Sequence, residues 1–284
     1  MPLDSAVVGA SIPAQEHHVD ARWLMAYAAS LADYNPLYMD TAAHAVQAHP
    51  VFPVCLEWPV ILNTRAIAAT QSLTQAEAAR GVHASHDLHL YKPITQDQVL
   101  ATAATMIGVR QIKPGAAYTM RLDTHDQAGD LVARTYQLGI YRGVDVQGSD
   151  RFSEEPPALP AWHDPSNAHA ENITIPAGAA HTYTECARIF NPIHTDRQIA
   201  LNAGLPDIIL HGTATLALAI SQLVNRYADG KPSQISRLGG RFAAMVLMPS
   251  TITLESREDQ GVISYQVRTE QGDLAIANGF VCLR

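Results

Sequence analysis

ECARIFNPIHTDRQIALNAGLPDIILHGTATLALA, residues Glu185–Ala219, is the stretch that decides the fold of this 284-residue chain. Its last part is almost wholly apolar and runs on into a helix that we predict over Gly212–Tyr227. The first three turns of that helix show almost no polar face, so the helix should be buried. Ahead of it lies a loop, NPIHTD at Asn191–Asp196, which follows a shorter predicted helix over Gly178–Arg188.

The same landmarks occur earlier in the chain, so the sequence contains an internal repeat. NPLYMD at Asn35–Asp40 precedes NPIHTD by 156 positions, from 35 to 191. A proline that ends an apolar, strand-like run recurs at the same offset, at Pro93 and Pro249. A repeat of this length indicates duplication of a whole domain rather than a solenoid.

A linker separates the two copies. Residues 149–172 are rich in proline, serine, asparagine and charge, and show almost no apolar periodicity. Such a composition is typical of an interdomain connection. We therefore predict an N-terminal repeat over residues 1–148 and a C-terminal repeat over residues 173–284.

Each half has the same predicted order of elements: a helix, the NPxxxD loop, a longer helix and several strands. In the N-terminal half we predict helices over Asp20–Leu31 and Glu57–Ala69 and strands over Val82–Tyr91, Val99–Val109, Ala117–Thr124 and Leu131–Arg142. In the C-terminal half the predicted strands are Leu238–Val246, Thr251–Glu255, Val262–Thr269 and Leu274–Leu283. One long helix wrapped by an antiparallel sheet is the hotdog arrangement, so the predicted fold class is α+β, a double hotdog. An unrelated pair of α+β domains is the alternative.

Composition narrows the class of protein. Hydrophobic residues make up 47% of the chain and charged residues 16%, with a net charge of −8. A nucleic-acid binder needs a basic face, and an anionic membrane would repel this charge, so we expect neither partner. The three cysteines are scattered and odd in number, which favours free thiols in a reducing compartment. No stretch reaches about 18 apolar residues and the N-terminus lacks a signal-peptide pattern, so we predict a cytoplasmic protein.

The motifs before Gly212 resemble those of the MaoC-like (R)-specific enoyl-CoA hydratases, also called hydratase 2. The resemblance rests on NPIH, followed by AGLP and then by HG twenty residues after Asn191. It implies a hydro-lyase that reversibly hydrates trans-2-enoyl-CoA to (R)-3-hydroxyacyl-CoA, or dehydrates the product. It also implies an acyl-CoA or acyl-carrier-protein substrate and no cofactor. Hotdog repeats often pair through sheet edges, so a homodimer is a further expectation.

Three residues carry the predicted chemistry: His194, Asn191 and Gly212. A histidine can act as general acid and base near neutral pH, and His194 lies in the tight turn. The side-chain amide of Asn191 can both donate and accept, which suits it to holding water. The backbone N–H of Gly212, at the start of a buried helix, can donate to the enolate oxygen that forms on the thioester.

The site departs from the family pattern at one position. The family has a catalytic Asp two residues before the Asn, and this chain has Ile189 there. We expect His211, Ile189, Thr213 and Asp196 to line the substrate site. For Asp196, capping of the short helix that follows is the simpler role.

The N-terminal repeat shows the opposite loss. It keeps an acid, Asp33, but has Tyr38 in place of the histidine, and Cys55 and Leu56 at the register of His211 and Gly212. One hypothesis pools Asp33 and His194 into a single split site. The favoured interpretation is that this half has lost the chemistry and shapes a groove for the acyl chain. Its apolar residues fit either that task or plain core packing: Val51, Phe52, Val54, Leu56 and Trp58.

Other functions stay open at this stage. The same oxyanion site could serve thioester hydrolysis or isomerisation, and the loss of the acid at Ile189 would suit a non-catalytic, acyl-thioester-binding subunit. His83, His86 and His89 are spaced by three, which places successive side chains on opposite faces of a strand. We therefore predict no metal site.

Overall fold

The computed structural model describes residues 2–64, 67, 73–166 and 168–284. Its helices are α1 (Ala21–Ser30), α2 (Pro36–Met39), α3 (Pro53–Asn63), α4 (Gln75–Ala78), α5 (Ala179–Ala187), α6 (Arg197–Asn202) and α7 (Gly212–Tyr227). Its strands are β1 (Leu3–Asp4), β2 (Ser11–Val19), β3 (Gly81–Leu90), β4 (Gln98–Ile112), β5 (Gly115–Asp126), β6 (Leu131–Arg142), β7 (Val146–Gln147), β8 (Arg151–Phe152), β9 (His169–Ile175), β10 (Ile235–Phe242), β11 (Ser250–Asp259), β12 (Val262–Arg268) and β13 (Leu274–Leu283).

One antiparallel sheet runs through both halves. Its order is β2-β4-β5-β6-β3 in the N-terminal half, continued by β10-β13-β12-β11-β9 in the C-terminal half. The second series is the mirror order of the first. β3 and β10 join the halves, with Leu88 opposite Leu238. The predicted double hotdog is confirmed by this arrangement.

The two long helices lie against the inner face of this sheet, because their apolar residues have nowhere else to be buried. On α7, Leu216, Ile220 and Leu223 are almost completely buried, and on α3 Leu56 is. α7 has the bounds that we predicted. α3 begins at Pro53, four residues earlier than predicted, because proline is well tolerated in a first helical turn. Most of the rest of that predicted helix, residues 65, 66, 68 and 69, lies outside the described residues.

The edge strands β2 and β9 were not predicted. In β2 most side chains are exposed or half-buried, so the sequence lacks the alternation that marks a strand. β9 takes up residues 169–172 of the predicted linker, and β8, in the same segment, pairs with β4. The strand predicted over Leu238–Val246 ends at Phe242. Val246 instead accepts a hydrogen bond, 2.9 Å, from the backbone N–H of Leu210, which holds the segment leading into α7.

α1 and α5 pack against each other where the two repeats meet. Tyr27 and Tyr183, which occupy the same position in each repeat, bring their hydroxyl oxygens to 3.3 Å. Both side chains are fully buried. This contact marks the pseudo-twofold relation between the halves.

Candidate active site

The NPIH loop is held at both ends. α5 ends at Ala187, and Arg188 caps it in the left-handed conformation, at a φ of 58°. Residues 192–194 form one turn of 3-10 helix. At the far end, a side-chain oxygen of Asp196 accepts a hydrogen bond from the backbone N–H of Ile199, at 3.1 Å, and so caps α6. The loop therefore presents His194 from a fixed turn.

His194 is oriented by the backbone in front of α7. Its Nδ1 lies 2.8 Å from the carbonyl oxygen of Ile209. A carbonyl only accepts, so Nδ1 carries the proton and Nε2 keeps its lone pair. Burial lowers the pKa of His194 to about 4, against a smaller opposing contribution from the Ile209 carbonyl. The ring is thus neutral at neutral pH and suited to take a proton.

His211 lies behind His194. The two rings stack with their centroids 3.7 Å apart and their planes at 25°. Nε2 of His211 lies 3.1 Å from Oγ1 of Thr184, a contact that anchors the ring. Burial, and then the neighbouring His194, lower the pKa of His211 to about 2. His211 is 2% exposed and His194 is 9% exposed, so His194 is the more accessible of the pair.

Gly212 is the first residue of α7, and His211 is its N-cap without a side-chain capping bond. Backbone N–H groups in a first turn have no acceptor within the helix, and the helix dipole makes that end attractive to negative charge. A Cβ at Gly212 would lie 3.1 Å from Cδ1 of Phe242, so glycine lets the Phe242 ring pack closely against the start of α7. Next to it, Oγ1 of Thr213 accepts from the Tyr183 hydroxyl at 3.2 Å.

The structure brings His194, His211, Gly212 and Thr213 together. The other predicted site residues differ from one another in burial. Asn191 is half-buried, and its side chain makes no capping hydrogen bond. The side chain of Ile189 is 5% exposed and belongs to the apolar core. Asp196 is exposed at the start of α6. The position where the family has its acid is therefore part of the core in this chain.

The NPLYMD loop of the N-terminal repeat lies near the C-terminal end of α7, away from Gly212. A cavity of about 550 Å³ is lined by Asp33 and Asn35 on one side and by Ser221 and Asn225 of α7 on the other. Ser221 is nine residues after Gly212, which is about 14 Å along a helix axis. Asp33 and His194 are therefore kept apart, and the hypothesis of one pooled site is not supported.

The residues that replace the active-site motif in the N-terminal repeat are buried. Tyr38, Cys55 and Leu56 are each 0–1% exposed. Burial, and then the nearby Asp33, raise the pKa of Tyr38 well above its usual range. These side chains occupy the register of His194, His211 and Gly212 as parts of the protein interior.

One prediction from spacing is corrected by a β-bulge. His83 and His86 were expected on opposite faces of a strand, but their ring centroids lie 5.3 Å apart. The pairing of β3 with β6 slips between His83 and Ser85, so an extra residue lets His83 turn to the side of His86. Among the described residues no group of three metal-ligating side chains converges.

Four residues that shape the site were not predicted from the sequence. Thr184 anchors His211, Tyr183 bonds Thr213, the Ile209 carbonyl orients His194, and Phe242 packs on Gly212. Tyr183 could have been noticed, since it repeats Tyr27 at the same offset of 156 as the other landmarks. The other three depend on tertiary packing.

Comparisons with known proteins show which families the two halves resemble. Residues 166–277 match the family described as MaoC like domain, and residues 6–135 match the family described as FAS1-like, dehydratase domain region. The chain is 22% identical to the peroxisomal enoyl-CoA hydratase 2 of Arabidopsis thaliana, over 72% of this chain and 68% of that protein. It is 26% identical to the peroxisomal multifunctional enzyme type 2 of Mus musculus, over 72% of this chain but only 28% of that longer protein.

A solved structure shows the same fold. The crystal structure of a MaoC-like dehydratase from Phytophthora capsici superposes with a TM-score of 0.80, at 17% identity, over 98% of this chain and 96% of that one. In the described part of the chain, no helix is long and apolar enough to cross a membrane. The first half of the chain is therefore similar to a FAS1-like dehydratase region, and the second half is similar to a MaoC-like domain.

Proposed function

We propose that this chain is a hydro-lyase that reversibly hydrates trans-2-enoyl thioesters to (R)-3-hydroxyacyl thioesters. The observation that carries the proposal is the pairing of His194 with the start of α7. A neutral imidazole is tethered to Ile209 and stacked on the residue that precedes Gly212. Relatives named enoyl-CoA hydratase 2 and 3-hydroxyacyl-thioester dehydratase support this class of reaction.

Two groups share the chemistry in hydration. Nε2 of His194 takes a proton from water, and the hydroxide adds to C3 of the enoyl group. The π electrons move onto the thioester oxygen, where the N–H of Gly212 stabilises the enolate. The enolate then collapses, C2 takes the proton from the imidazolium, and one water has been added. We assign the holding of that water to Asn191, which is half-buried beside the turn.

The remaining assignments belong to the same proposal. The substrate is a thioester of coenzyme A or of an acyl carrier protein, and the addition of water needs no cofactor. We place the protein in the cytoplasm as a homodimer, although two relatives carry the word peroxisomal in their names. His211, Thr213 and Ile189 border the substrate, and Asp196 acts through the capping of α6.

A second candidate is a non-catalytic, acyl-thioester-binding subunit. The burial of Ile189 in the apolar core favours it, since no acid can act from that position. Thioester hydrolysis or isomerisation at the same oxyanion site has no observation of its own in its favour.

Replacement of His194 tests the proposal. His194→Gln should lower kcat for trans-2-enoyl-CoA hydration by at least about 100-fold, the usual effect of losing a general acid–base group. The measurement is the decrease in enoyl absorbance. His163→Gln is the control, because the His163 ring is half-exposed and lies beside Asp259, which is not a residue of the site. A near-normal rate in His194→Gln would refute the assignment, and release of free CoA at constant enoyl absorbance would indicate hydrolysis.

A further inference from the structure

Two buried polar side chains on the inner face of the N-terminal sheet carry polar atoms that find no hydrogen-bond partner in the described part of the chain. His86 is 1% exposed and Gln137 is 4% exposed. Neither ring nitrogen of His86, nor Oε1 of Gln137, has a hydrogen-bond partner among the described residues. An unpaired buried polar group destabilises the folded protein, so such a cluster calls for a reason.

The two residues face the space between the sheet and α3. They lie directly opposite each other in the β3–β6 pairing, and so share one face. Leu88, two residues after His86, is part of the apolar core, and Thr135, two residues before Gln137, donates a hydrogen bond to Glu57 of α3. The unpaired groups therefore point inwards, into the N-terminal repeat.

A line of ring contacts connects this cluster to the active site. The His83 ring lies 5.3 Å from the His86 ring and 4.8 Å from the Phe242 ring, centroid to centroid. Phe242 in turn packs on Gly212, at 3.1 Å from the position of a Cβ there. His83, Phe242 and Gly212 are all half-buried, whereas His86 is buried. These contacts therefore join the oxyanion donor, through two half-buried rings, to the buried His86.

The acyl group of the substrate, and not its coenzyme A or carrier-protein part, belongs at the His86 end of this line of contacts. Coenzyme A and a carrier protein are large and charged, and their polar parts must remain in water. Of the parts of the substrate, only the acyl chain is apolar enough to lie against the buried His86. Burial lowers the pKa of His86 to about 4, so its ring is neutral and offers one donor and one acceptor nitrogen. The Nε2 of His83 is already engaged with the carbonyl oxygen of Ser85, at 3.1 Å.

We propose that His86 and Gln137 are specificity residues for an acyl chain that carries a hydroxyl or keto oxygen beyond the reacting double bond. This inference rests on the proposed acyl-thioester function and names its substrate class. A hydroxyl or keto oxygen satisfies donors and acceptors of a neutral site, whereas a plain hydrocarbon chain leaves them unpaired. A site built to hydrogen-bond an oxygen discriminates strongly against the analogue that lacks it.

The test compares trans-2-enoyl-CoA esters of equal length. One ester has a plain chain, others carry a hydroxyl or keto group at successive carbons beyond the double bond, and one ends in a carboxylate. We expect kcat/KM for at least one hydroxy or keto ester to exceed that of the plain ester by about tenfold or more. Equal or better turnover of the plain ester would overturn the inference, as would preference for the carboxylate.

Variants separate recognition from folding. His86→Leu and Gln137→Leu should each lower the preference for the oxygen-bearing ester over the plain ester about tenfold. His86→Leu should also raise Tm, because an unpaired polar group is removed. His89→Leu, on the same strand and beside Asp87 on the opposite face, is the matched control and should leave the preference unchanged. An unchanged preference in His86→Leu, or a fall in its Tm, would contradict the assignment.

Binding measurements distinguish a failure of the proposed hydro-lyase function from a failure of the specificity assignment. If no ester is hydrated, the proposed function fails, and calorimetry with saturated acyl-CoA and its hydroxy analogue still tests the site. Tighter binding of the hydroxy analogue, weakened in His86→Leu, would support recognition without catalysis. Equal affinity for both would overturn it.

Discussion

At the scale of single residues, His194 is the side chain that the sequence motif indicated most clearly, and two contacts hold its ring in place. His194 is fixed by a hydrogen bond to Ile209 on one nitrogen and by the stacked ring of His211 on its face. Both contacts come from the segment in front of α7, which is 15 or more residues away in sequence. The motif NPIH predicted the residue type and the turn, but the partners that set its tautomer could not be predicted.

The pH dependence of the reaction follows from this environment. Burial lowers the pKa of His194 to about 4, so the base stays unprotonated well below the range of free imidazole. Since the unprotonated form is the active base, kcat/KM for hydration should be nearly constant from about pH 8 down to about pH 5. A pH–rate profile measures this. A fall in kcat/KM on the acid side with a midpoint at about pH 6.5, the pKa of an unperturbed histidine, would contradict this prediction.

Ile189 allows a second test at this scale. Its side chain is 5% exposed within the apolar core, so Ile189→Asp places a carboxyl where no partner was built for it. We expect the free energy of unfolding to fall by about 3 kcal/mol and the hydratase rate not to rise. Denaturant unfolding and the enoyl absorbance assay measure the two effects.

The conservative variant Ile189→Val is the control and should cost about 1 kcal/mol. A gain in activity in Ile189→Asp would mean that the site had merely lost its acid and could still use one.

At the scale of elements, α7 shows what a sequence can predict about a helix. Its bounds follow from the glycine at its start and from an apolar surface that only burial explains. β2 and β9 escaped prediction because an edge strand with exposed side chains lacks that signal. The bulge in β3 escaped for a different reason: spacing alone assumes a regular strand, and one inserted residue moves His83 to the side of His86.

The N-terminus of α7 can be tested without removing a side chain. Proline lacks the N–H but is tolerated at the first position of a helix, and His211, at a ψ of 137°, already has the extended conformation that a following proline requires. Gly212→Pro should therefore keep α7 and lower kcat by about 100-fold or more relative to Gly212→Ala. Steady-state kinetics of enoyl-CoA hydration measures this.

Gly212→Ala is the matched control because it adds the same Cβ next to Phe242 and keeps the N–H. Equal rates in the two variants, with helix content unchanged by circular dichroism, would show that the N–H of residue 212 does not stabilise the enolate.

At the scale of the whole molecule, the two repeats share one sheet and one bidentate ion pair. Nε and Nη2 of Arg237 on β10 each lie 2.8 Å from a carboxylate oxygen of Asp87 on β3. Nη1 of Arg237 also donates to the carbonyl of Ala158, at 3.0 Å, in the connecting segment. Both side chains are largely buried. The repeat offset predicted two similar domains, but it could not predict that their sheets would merge at β3 and β10.

This ion pair should contribute to the stability of both halves together. Arg237→Met leaves Asp87 buried without its partner, and we expect a loss of about 3 kcal/mol in the free energy of unfolding, in a single transition. Thermal or denaturant unfolding measures it. Arg197→Met, which breaks an exposed pair with Asp207, should change stability by less than about 1 kcal/mol. Two separate transitions in Arg237→Met would show that the repeats fold independently.

The contact between Tyr27 and Tyr183 has a consequence for how such a protein can change over evolutionary time. On a true twofold axis a residue meets its own copy, as in an isologous homodimer, and every substitution there occurs twice. Covalent fusion removes that restriction, because each copy can mutate alone while the shared axis persists. One loop could then keep its histidine while its counterpart became Tyr38, a divergence that two identical subunits could never reach.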